Sequence, residues 1–186
     1  MRRTVLVLLA LFLFTVNPLW SSGKFIYALD LSDSYYPAIP HFADEIPWRS
    51  SNATSLAFGL IGYETEVFSA SLDLHTMFVT PSIPFGNYQA RGFYSVGFRL
   101  RGSYQLNGTV ALFSSISSEA NYYRTIKEAF ISYSLQVGPQ FRVLDTQMHT
   151  IDITIPITMH LRKEITAPML GVGIRYTLIP QQKEKP

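Results

Sequence analysis

Apolar and polar positions alternate along most of this chain. The clearest stretch places apolar side chains at every second position of 151–161, with Asp, Thr, Pro and His between them. A period of two indicates a β-strand with one apolar face and one polar or small face. Eight such segments are predicted, at 24–32, 53–63, 67–78, 88–104, 109–116, 128–142, 148–162 and 169–178.

The connections between these segments are alternately long and short. Asn107-Gly108 supports one short connection, because both residues tolerate the positive φ of a tight hairpin turn. An even number of strands joined in this rhythm is typical of a closed up-and-down barrel. We therefore predict an all-β fold, an eight-stranded antiparallel barrel. Its expected connections run over 33–52, 64–66, 79–87, 105–108, 117–127, 143–147 and 163–168, and every odd one is longer than its neighbours.

The composition of the polar face separates two kinds of barrel. A soluble lipocalin-like carrier turns that face to water, and water-facing surfaces are rich in Lys and Glu. None of the five lysines lies in the interior of a predicted strand, since they are Lys24, Lys127, Lys163, Lys183 and Lys185. Small residues with a few charges instead suit the filled lumen of an eight-stranded barrel. We predict a transmembrane barrel with its apolar face outward, and a soluble exported lipocalin-like carrier is the alternative.

Aromatic residues gather near the ends of the predicted strands. Membrane barrels carry rings of aromatic side chains at both interfaces, where the ring is apolar and its tip meets water. As a set, the aromatic residues favour a membrane location. They are Phe25, Tyr63, Phe68, Phe78, Tyr88, Tyr104, Phe141 and Tyr176.

The overall composition excludes several classes of protein. Charged residues make up 15 % of the chain and hydrophobic ones 47 %, whereas a soluble domain usually has about a quarter charged. Without Arg2 and Arg3 the count of Lys and Arg falls from 15 to 13, against 13 Asp and Glu. No basic footprint for nucleic acid remains. The chain has no cysteine, hence no disulfide framework, and we expect neither a cofactor nor a metal.

The N-terminus is predicted to be a cleavable signal peptide. Arg2 and Arg3 precede an apolar run over 5–16, and small residues at 21–23 offer a cleavage site. Twelve apolar residues are too few for a membrane-spanning helix, which needs about 20. The predicted organisation is a signal peptide over 1–23, a barrel over 24–178 and a polar periplasmic tail over 179–186.

The end of the last strand resembles the terminal insertion signal of outer-membrane barrels. Gly173, Tyr176 and Leu178 give the pattern Gly-x-x-aromatic-x-apolar, although Gly171 stands where a polar residue is expected and eight residues follow Leu178. Over 24–178 the chain resembles the small eight-stranded outer-membrane barrels, the group that includes OmpX, OmpW and the membrane domain of OmpA. The resemblance implies residence in the outer membrane of a bacterium with two membranes and insertion by the barrel-assembly machinery. It also implies periplasmic termini and long loops outside the cell.

Charges on the polar face would be buried in the lumen, and buried charges require partners. Hairpin geometry should bring Asp152 near Arg175 and Asp73 near Arg99. Eight strands leave little free cross-section, so a plug of ion pairs is favoured over a selective pore. The predicted network comprises Asp30, Asp73, His75, Arg99, Arg101, Asp152 and Arg175, with Arg91 and His160 on the same face.

The connection 33–52 is the best candidate for contact with an extracellular ligand or a host surface, and 117–127 adds further candidates. Exposed aromatic residues on loops can bind a partner, and a lid over the barrel mouth or contact with lipid headgroups is the alternative. The candidates are Tyr35, Tyr36, Phe42, Trp48, Tyr122 and Tyr123.

A catalytic role is not expected. Asp33, Ser34 and His41 could supply a lipid-modifying site, but a nucleophile needs a base within hydrogen-bond reach. His41 with Asp44 and Glu45 lacks a spacing diagnostic of a metal. The expected function is a non-enzymatic structural or adhesion role, or a narrow conduit for small apolar solutes, and a lipid-modifying barrel enzyme is the less favoured alternative.

Overall fold

The computed structural model describes residues 24–36, 51–81, 93–123, 129–162 and 165–180. Within these ranges the regular elements are all strands, and no helix is long and apolar enough to cross a membrane. The strands are β1 (Lys24–Tyr36), β2 (Ser51–Glu64), β3 (Phe68–Pro81), β4 (Phe93–Gln105), β5 (Val110–Tyr123), β6 (Ala129–Asp145), β7 (His149–Thr154), β8 (Ile157–Arg162) and β9 (Ile165–Leu178).

The strands form one closed antiparallel barrel. From β1 to β6 each strand pairs with the next in sequence. β1 also pairs with β9, so that Tyr27 faces Leu178 and Tyr35 faces Leu170 across the closing seam. The segments β7 and β8 both lie between β6 and β9 and act as one broken strand. Nine segments therefore make the eight positions of the predicted barrel, which confirms the fold class.

The break between β7 and β8 corrects the prediction of a continuous strand over 148–162. Pro156 has no N–H, so it cannot continue the ladder. The ends of the break are held because Ile155 N donates to Pro139 O at 3.1 Å and Gly171 N donates to Pro156 O at 2.9 Å. Gly171, which departs from the insertion pattern, thus connects β9 to the chain at the break through its N–H group.

Several strands are longer than the sequence predicts at the end that carries the long connections. β1 continues to Tyr36 rather than ending at 32, and β5 continues to Tyr123 rather than ending at 116. The outward positions of the added part of β5 are small, such as Ser118 and Ala120, so the apolar alternation fades although the ladder continues. The connection between β8 and β9 shrinks to 163–164, which contradicts the expectation that every odd connection is the longer.

Side-chain burial is inverted relative to a soluble protein. Ser71, Thr154 and Arg175 are 4–5 % exposed, whereas the outward-facing large apolar side chains are about half exposed. Leu72, Leu135 and Ile153 are among the latter, at 38 %, 47 % and 38 %. The described interior consists mainly of polar and charged side chains, with a smaller number of apolar ones such as Ile26, Met77 and Phe113. The apolar face therefore points outward, as predicted, and the lipocalin-like arrangement is not found.

Aromatic side chains mark two levels on the outer face. On β4, Tyr94 and Tyr104 both face outward, ten positions apart, and are 42 % and 54 % exposed. The pairs Phe25 and Tyr35 on β1, and Phe68 and Phe78 on β3, repeat that spacing. Ten residues rise about 33 Å along a strand, which is about 25 Å of height at the usual barrel tilt. The two levels are thus separated by the height of the apolar band of an outer-membrane barrel; Tyr88 lies outside the described residues.

Candidate functional site

The middle of the lumen holds a cluster of two arginines and two aspartates. Arg99 Nε donates to Asp73 Oδ2 at 2.8 Å, and Arg99 Nη2 also contacts Asp30. Arg175 Nη1 donates to the same Asp30 oxygen at 2.7 Å. The four side chains come from β1, β3, β4 and β9, and their charges cancel. Because each is buried, mutual pairing is what makes their burial tolerable.

A second set of polar side chains continues this cluster toward the short turns. Arg101 Nη2 donates to Gln140 Oε1 at 2.8 Å, and Gln140 Nε2 donates to Asp152 Oδ2 at 2.9 Å. Arg142 then contacts both Asp152 and Glu64 at 3.3 Å. The central guanidinium carbon of Arg101 also lies 3.8 Å from the centre of the Phe113 ring, which is a cation–π contact.

The expected pair of Asp73 with Arg99 forms, whereas Asp152 and Arg175 pair elsewhere. Asp152 and Arg175 are register partners on β7 and β9, yet the ion pairs run from Asp152 to Arg142 and from Arg175 to Asp30. Arg142 faces Asp152 in the same register that pairs β6 with β8, and the register shift in β6 begins only after Arg142. Arg142 continues the inward series at 132, 134, 136, 138 and 140 to the end of the predicted strand 128–142, and this alternation is the signal that could have found it.

Glu119 is the most important lumen residue that the sequence analysis missed. It is 1 % exposed, it accepts from Ser117 Oγ at 2.6 Å and Ser95 Oγ at 3.1 Å, and its Oε1 lies 3.1 Å from His75 Nδ1. The last contact is close but not aligned as a hydrogen bond, and it is an ion pair when His75 is protonated. Because β5 was predicted to end at 116, Glu119 was assigned to a loop. The inward series at 113, 115, 117, 119 and 121 is the signal that could have found it.

His160 joins the same group from β8, on the far side of β6 from Glu119. Its Nδ1 lies 3.0 Å from Ser134 Oγ, and that hydroxyl donates to Glu119 Oε1 at 3.4 Å. Nearer the long connections, Asn121 Nδ2 donates to Ser132 Oγ at 2.6 Å. Arg91, which was expected on this face, lies outside the described residues.

Between the two charged groups is a small cavity. Arg99 lies on the side of the central cluster, His75 and Glu119 on the other, and Ser115, Ser117, Ser134 and Thr158 contribute hydroxyl groups to the wall. The volume of about 20 Å³ is room for about one water molecule. Polar side chains therefore occupy the described lumen from the turns to the level of Asn121.

The candidates for contact outside the barrel fall on strands or outside the described residues. Tyr35 and Tyr36 lie in β1 and Tyr122 and Tyr123 in β5, which corrects their assignment to loops. Tyr35 faces outward and is 53 % exposed, and the Tyr122 ring centre lies 5.2 Å from that of Tyr94. Phe42 and Trp48 lie outside the described residues.

The residues considered for catalysis do not converge. Asp33 is exposed on the outer face, where it accepts from Thr54 Oγ1 at 3.0 Å, while Ser34 is buried in the lumen. Neighbouring strand residues point to opposite faces, so the two cannot act together. His41, Asp44 and Glu45 lie outside the described residues. Within the described part of the chain, no group of three or more His, Asp or Glu side chains is placed to hold a metal.

Comparison with known proteins identifies the fold. No protein-family model matches the chain, and neither does any curated protein. Neisserial surface protein A (NspA) is 11 % identical, and the match covers 83 % of this chain and 98 % of NspA at a TM-score of 0.53. The fold is that of the small eight-stranded outer-membrane β-barrels.

Two further structures are similar over a comparable share of the chain. Ail, the attachment invasion locus protein of Yersinia pestis, was solved in complex with the heparin analogue sucrose octasulfate. It is 10 % identical, with coverage of 84 % of this chain and 99 % of Ail and a TM-score of 0.47. The N-terminal β-barrel domain of Pseudomonas aeruginosa OprF is 9 % identical, with coverage of 84 % and 99 % and a TM-score of 0.47.

Proposed function

We propose that this protein is a non-enzymatic barrel of the bacterial outer membrane, with a lumen plugged by ion pairs and its long connections exposed outside the cell. The inverted burial carries the proposal. A continuous band of half-exposed apolar side chains surrounds the barrel, while charged groups such as Arg99 and Glu119 are almost fully buried. Soluble monomers rarely expose apolar patches beyond a few hundred Å², and a closed barrel leaves no sheet edge unpaired in hydrocarbon.

Membrane residence is tested by the behaviour of the purified chain. We expect it to enter the detergent phase on partitioning and to migrate differently on a denaturing gel before and after boiling, because a barrel that survives the detergent is compact. Recovery in the aqueous phase without detergent would support the soluble carrier instead. Cell fractionation then separates the outer from the inner membrane.

The orientation of the barrel is proposed from the lengths of its connections. Fourteen residues join β1 to β2 and eleven join β3 to β4, whereas three, four and three residues form the turns at 65–67, 106–109 and 146–148. The turn at 106–109 is stabilised because Asn107 Oδ1 accepts hydrogen bonds from Thr109 N and Val110 N at 2.9 and 2.8 Å. Compact turns suit the periplasmic rim and long loops the cell surface.

Cysteine labelling of intact cells tests this orientation, since the chain has no native cysteine. A cysteine introduced within 37–50 should react with a membrane-impermeant maleimide, and one at Asn107 should react only after the cells are opened. The reverse pattern would mean that the barrel is inverted. A role in binding an extracellular ligand or host surface is part of the proposal, and Tyr35 and Tyr122 lie at the rim where such contact would occur.

The plug is proposed because the polar chain leaves room for about one water molecule beside Arg99. In planar bilayers we expect the purified barrel to give no steady single-channel current, and the Arg99→Met, Arg101→Met double variant to conduct more than the wild type. Steady large currents from the wild-type barrel would contradict the plug and favour a pore. The narrow lumen also argues against a conduit that runs straight through the barrel.

Insertion by the barrel-assembly machinery is proposed from the C-terminal pattern. Gly173 and Tyr176 are held in the last strand, where the Tyr176 hydroxyl lies 2.7 Å from His149 Nδ1, and Leu178 ends that strand. Replacing Leu178 by Asp should reduce the fraction of chains assembled in cells, while the purified variant still folds in detergent. If Leu178→Asp and the wild type assemble in cells to the same extent, the C-terminal pattern is not an insertion signal.

A further inference from the structure

A groove crosses the outer face of the barrel over β3, β4 and β5. Its floor is one row of register partners with small side chains, Ala70, Gly102 and Ser114. The rows on both sides carry large side chains. Toward the long connections they are Leu100, Ile116 and Leu135, and toward the turns they are Phe68, Tyr104 and Leu112.

The groove is large, apolar and closed at both ends. Its volume is about 600 Å³, within the range of small-molecule pockets. Along the floor row the next partners are Tyr63 on β2 and Val137 on β6, so bulky side chains end it on either side. The floor is three strands wide, and at about 4.8 Å for each strand it is about 14 Å long. An elongated apolar molecule matches this shape better than a compact one.

The packing of the barrel does not require a glycine at position 102. A Cβ at Gly102 would lie 3.6 Å from the nearest atom of the Phe68 ring, which is ordinary contact, whereas a Cβ at Gly97 in the same strand would overlap the carbonyl oxygen of Ser118. Glycine weakens a strand interior and often marks a place where a ligand approaches the backbone closely. At Gly102 the absence of a side chain serves mainly to deepen the groove.

The position of the groove defines the chemistry of its occupant. Phe68 and Tyr104 belong to the aromatic level on the turn side, and the floor lies one outward position further into the apolar band. Two residues along a tilted strand correspond to about 5 Å of depth. At that depth a membrane presents the ester groups and first methylenes of its lipids. The exposed Ser114 hydroxyl can donate to an ester carbonyl there.

We propose that this groove binds an acyl chain of a phospholipid in the leaflet on the turn side. The proposal rests on the membrane location proposed above. The chain would lie along the floor between the two rows of large side chains, with its ester end near Ser114 and Tyr104. A bound lipid of this kind differs from the lipid that surrounds the rest of the barrel because it lies in a groove bounded by large side chains.

Photolabelling in phospholipid vesicles tests the groove. The barrel is reconstituted with a phosphatidylethanolamine that carries a diazirine in one acyl chain, and the labelled residues are mapped by mass spectrometry. Ser118 is the matched reference, since it is an outward, exposed serine on the same strand that does not line the groove. We expect severalfold more label at Ala70, Gly102 and Ser114 than at Ser118, and Gly102→Leu should reduce the excess to the reference level.

Ser114→Leu is a second variant whose added side chain fills the groove, and it replaces Gly102→Leu if that variant folds poorly. The gel shift on boiling reports whether each variant is folded. Equal labelling of the groove and Ser118 in the folded wild type would overturn the proposal. So would disulfide-linked dimers of Ser114→Cys together with an unlabelled groove, because a second copy would then occupy it. A chain that fails to enter vesicles would give no label at either place, which would contradict the membrane location rather than the groove alone.

Discussion

At the scale of single residues, the lumen is organised by charge balance rather than by apolar contact. Asp30 bridges Arg99 and Arg175, and Asp73 completes the set. Removing one charged side chain from this cluster leaves its partner buried and uncompensated. The resulting loss of stability is larger than the net stability that the ion pair contributes. The four charged residues of this central cluster were predictable, because they interrupt an otherwise small-residue face, whereas Glu119 and Arg142 were not predicted.

Replacing Arg99 by Met tests the central cluster. The variant leaves Asp73 without its partner, so we expect the free energy of unfolding to fall by about 3–5 kcal/mol. Urea titration in phospholipid vesicles measures it. Lys24→Met at the exposed start of β1 is the control and should change stability by less than about 0.5 kcal/mol.

The Arg99→Met, Asp73→Leu double variant keeps the pair of Asp30 with Arg175 and should recover part of the lost stability. A double variant as unstable as the sum of its single variants would show that the two residues do not act as a pair.

Glu119 offers a comparison of one residue type in two environments. Glu119→Ala removes the acceptor of Ser95 and Ser117, and we expect a loss of about 1–3 kcal/mol or more. Glu66→Ala in the exposed turn should change stability by less than about 0.5 kcal/mol. If the two variants are equally stable, Glu119 is not the structural centre of the loop-side lumen.

At the scale of elements, the sequence predicts where strands exist better than where they end. Alternation located all eight strand positions, because each face meets a different environment. It failed near the long connections, where outward residues such as Ser118 and Ala120 are small. The break at Pro156 was also missed, since an alternating pattern continues through it although the proline cannot donate to the ladder. The bulge between Arg142 and Leu144 also left no sign in the alternation.

Leu100 tests the outward face of a single element. It lies near the middle of β4 and is 53 % exposed, so an arginine there would face hydrocarbon. We expect Leu100→Arg to lower stability in vesicles by about 2–4 kcal/mol. Leu106, which is 54 % exposed in a short turn, provides the control, and Leu106→Arg should be nearly neutral. Equal effects of the two changes would place β4 in water.

At the scale of the whole molecule, closure and inversion depend on each other. A barrel with polar side chains inside and apolar side chains outside needs a closed ladder, because an open edge cannot be satisfied in hydrocarbon. The pairing of β1 with β9 provides it. Two aromatic levels about 25 Å apart then fit the barrel to a membrane. This architecture was predictable from faces and strand number, whereas the groove on β3 to β5 depends on which residues become register partners.

The outward direction of the apolar face is tested most directly by the contact between lipid and side chains in a lipid nanodisc, measured by nuclear Overhauser effects from lipid methylenes. We expect strong effects to Leu72, Leu135 and Ile153 and none to Ser71 and Thr154. Effects to the second set, with Leu72, Leu135 and Ile153 shielded from lipid, would contradict it.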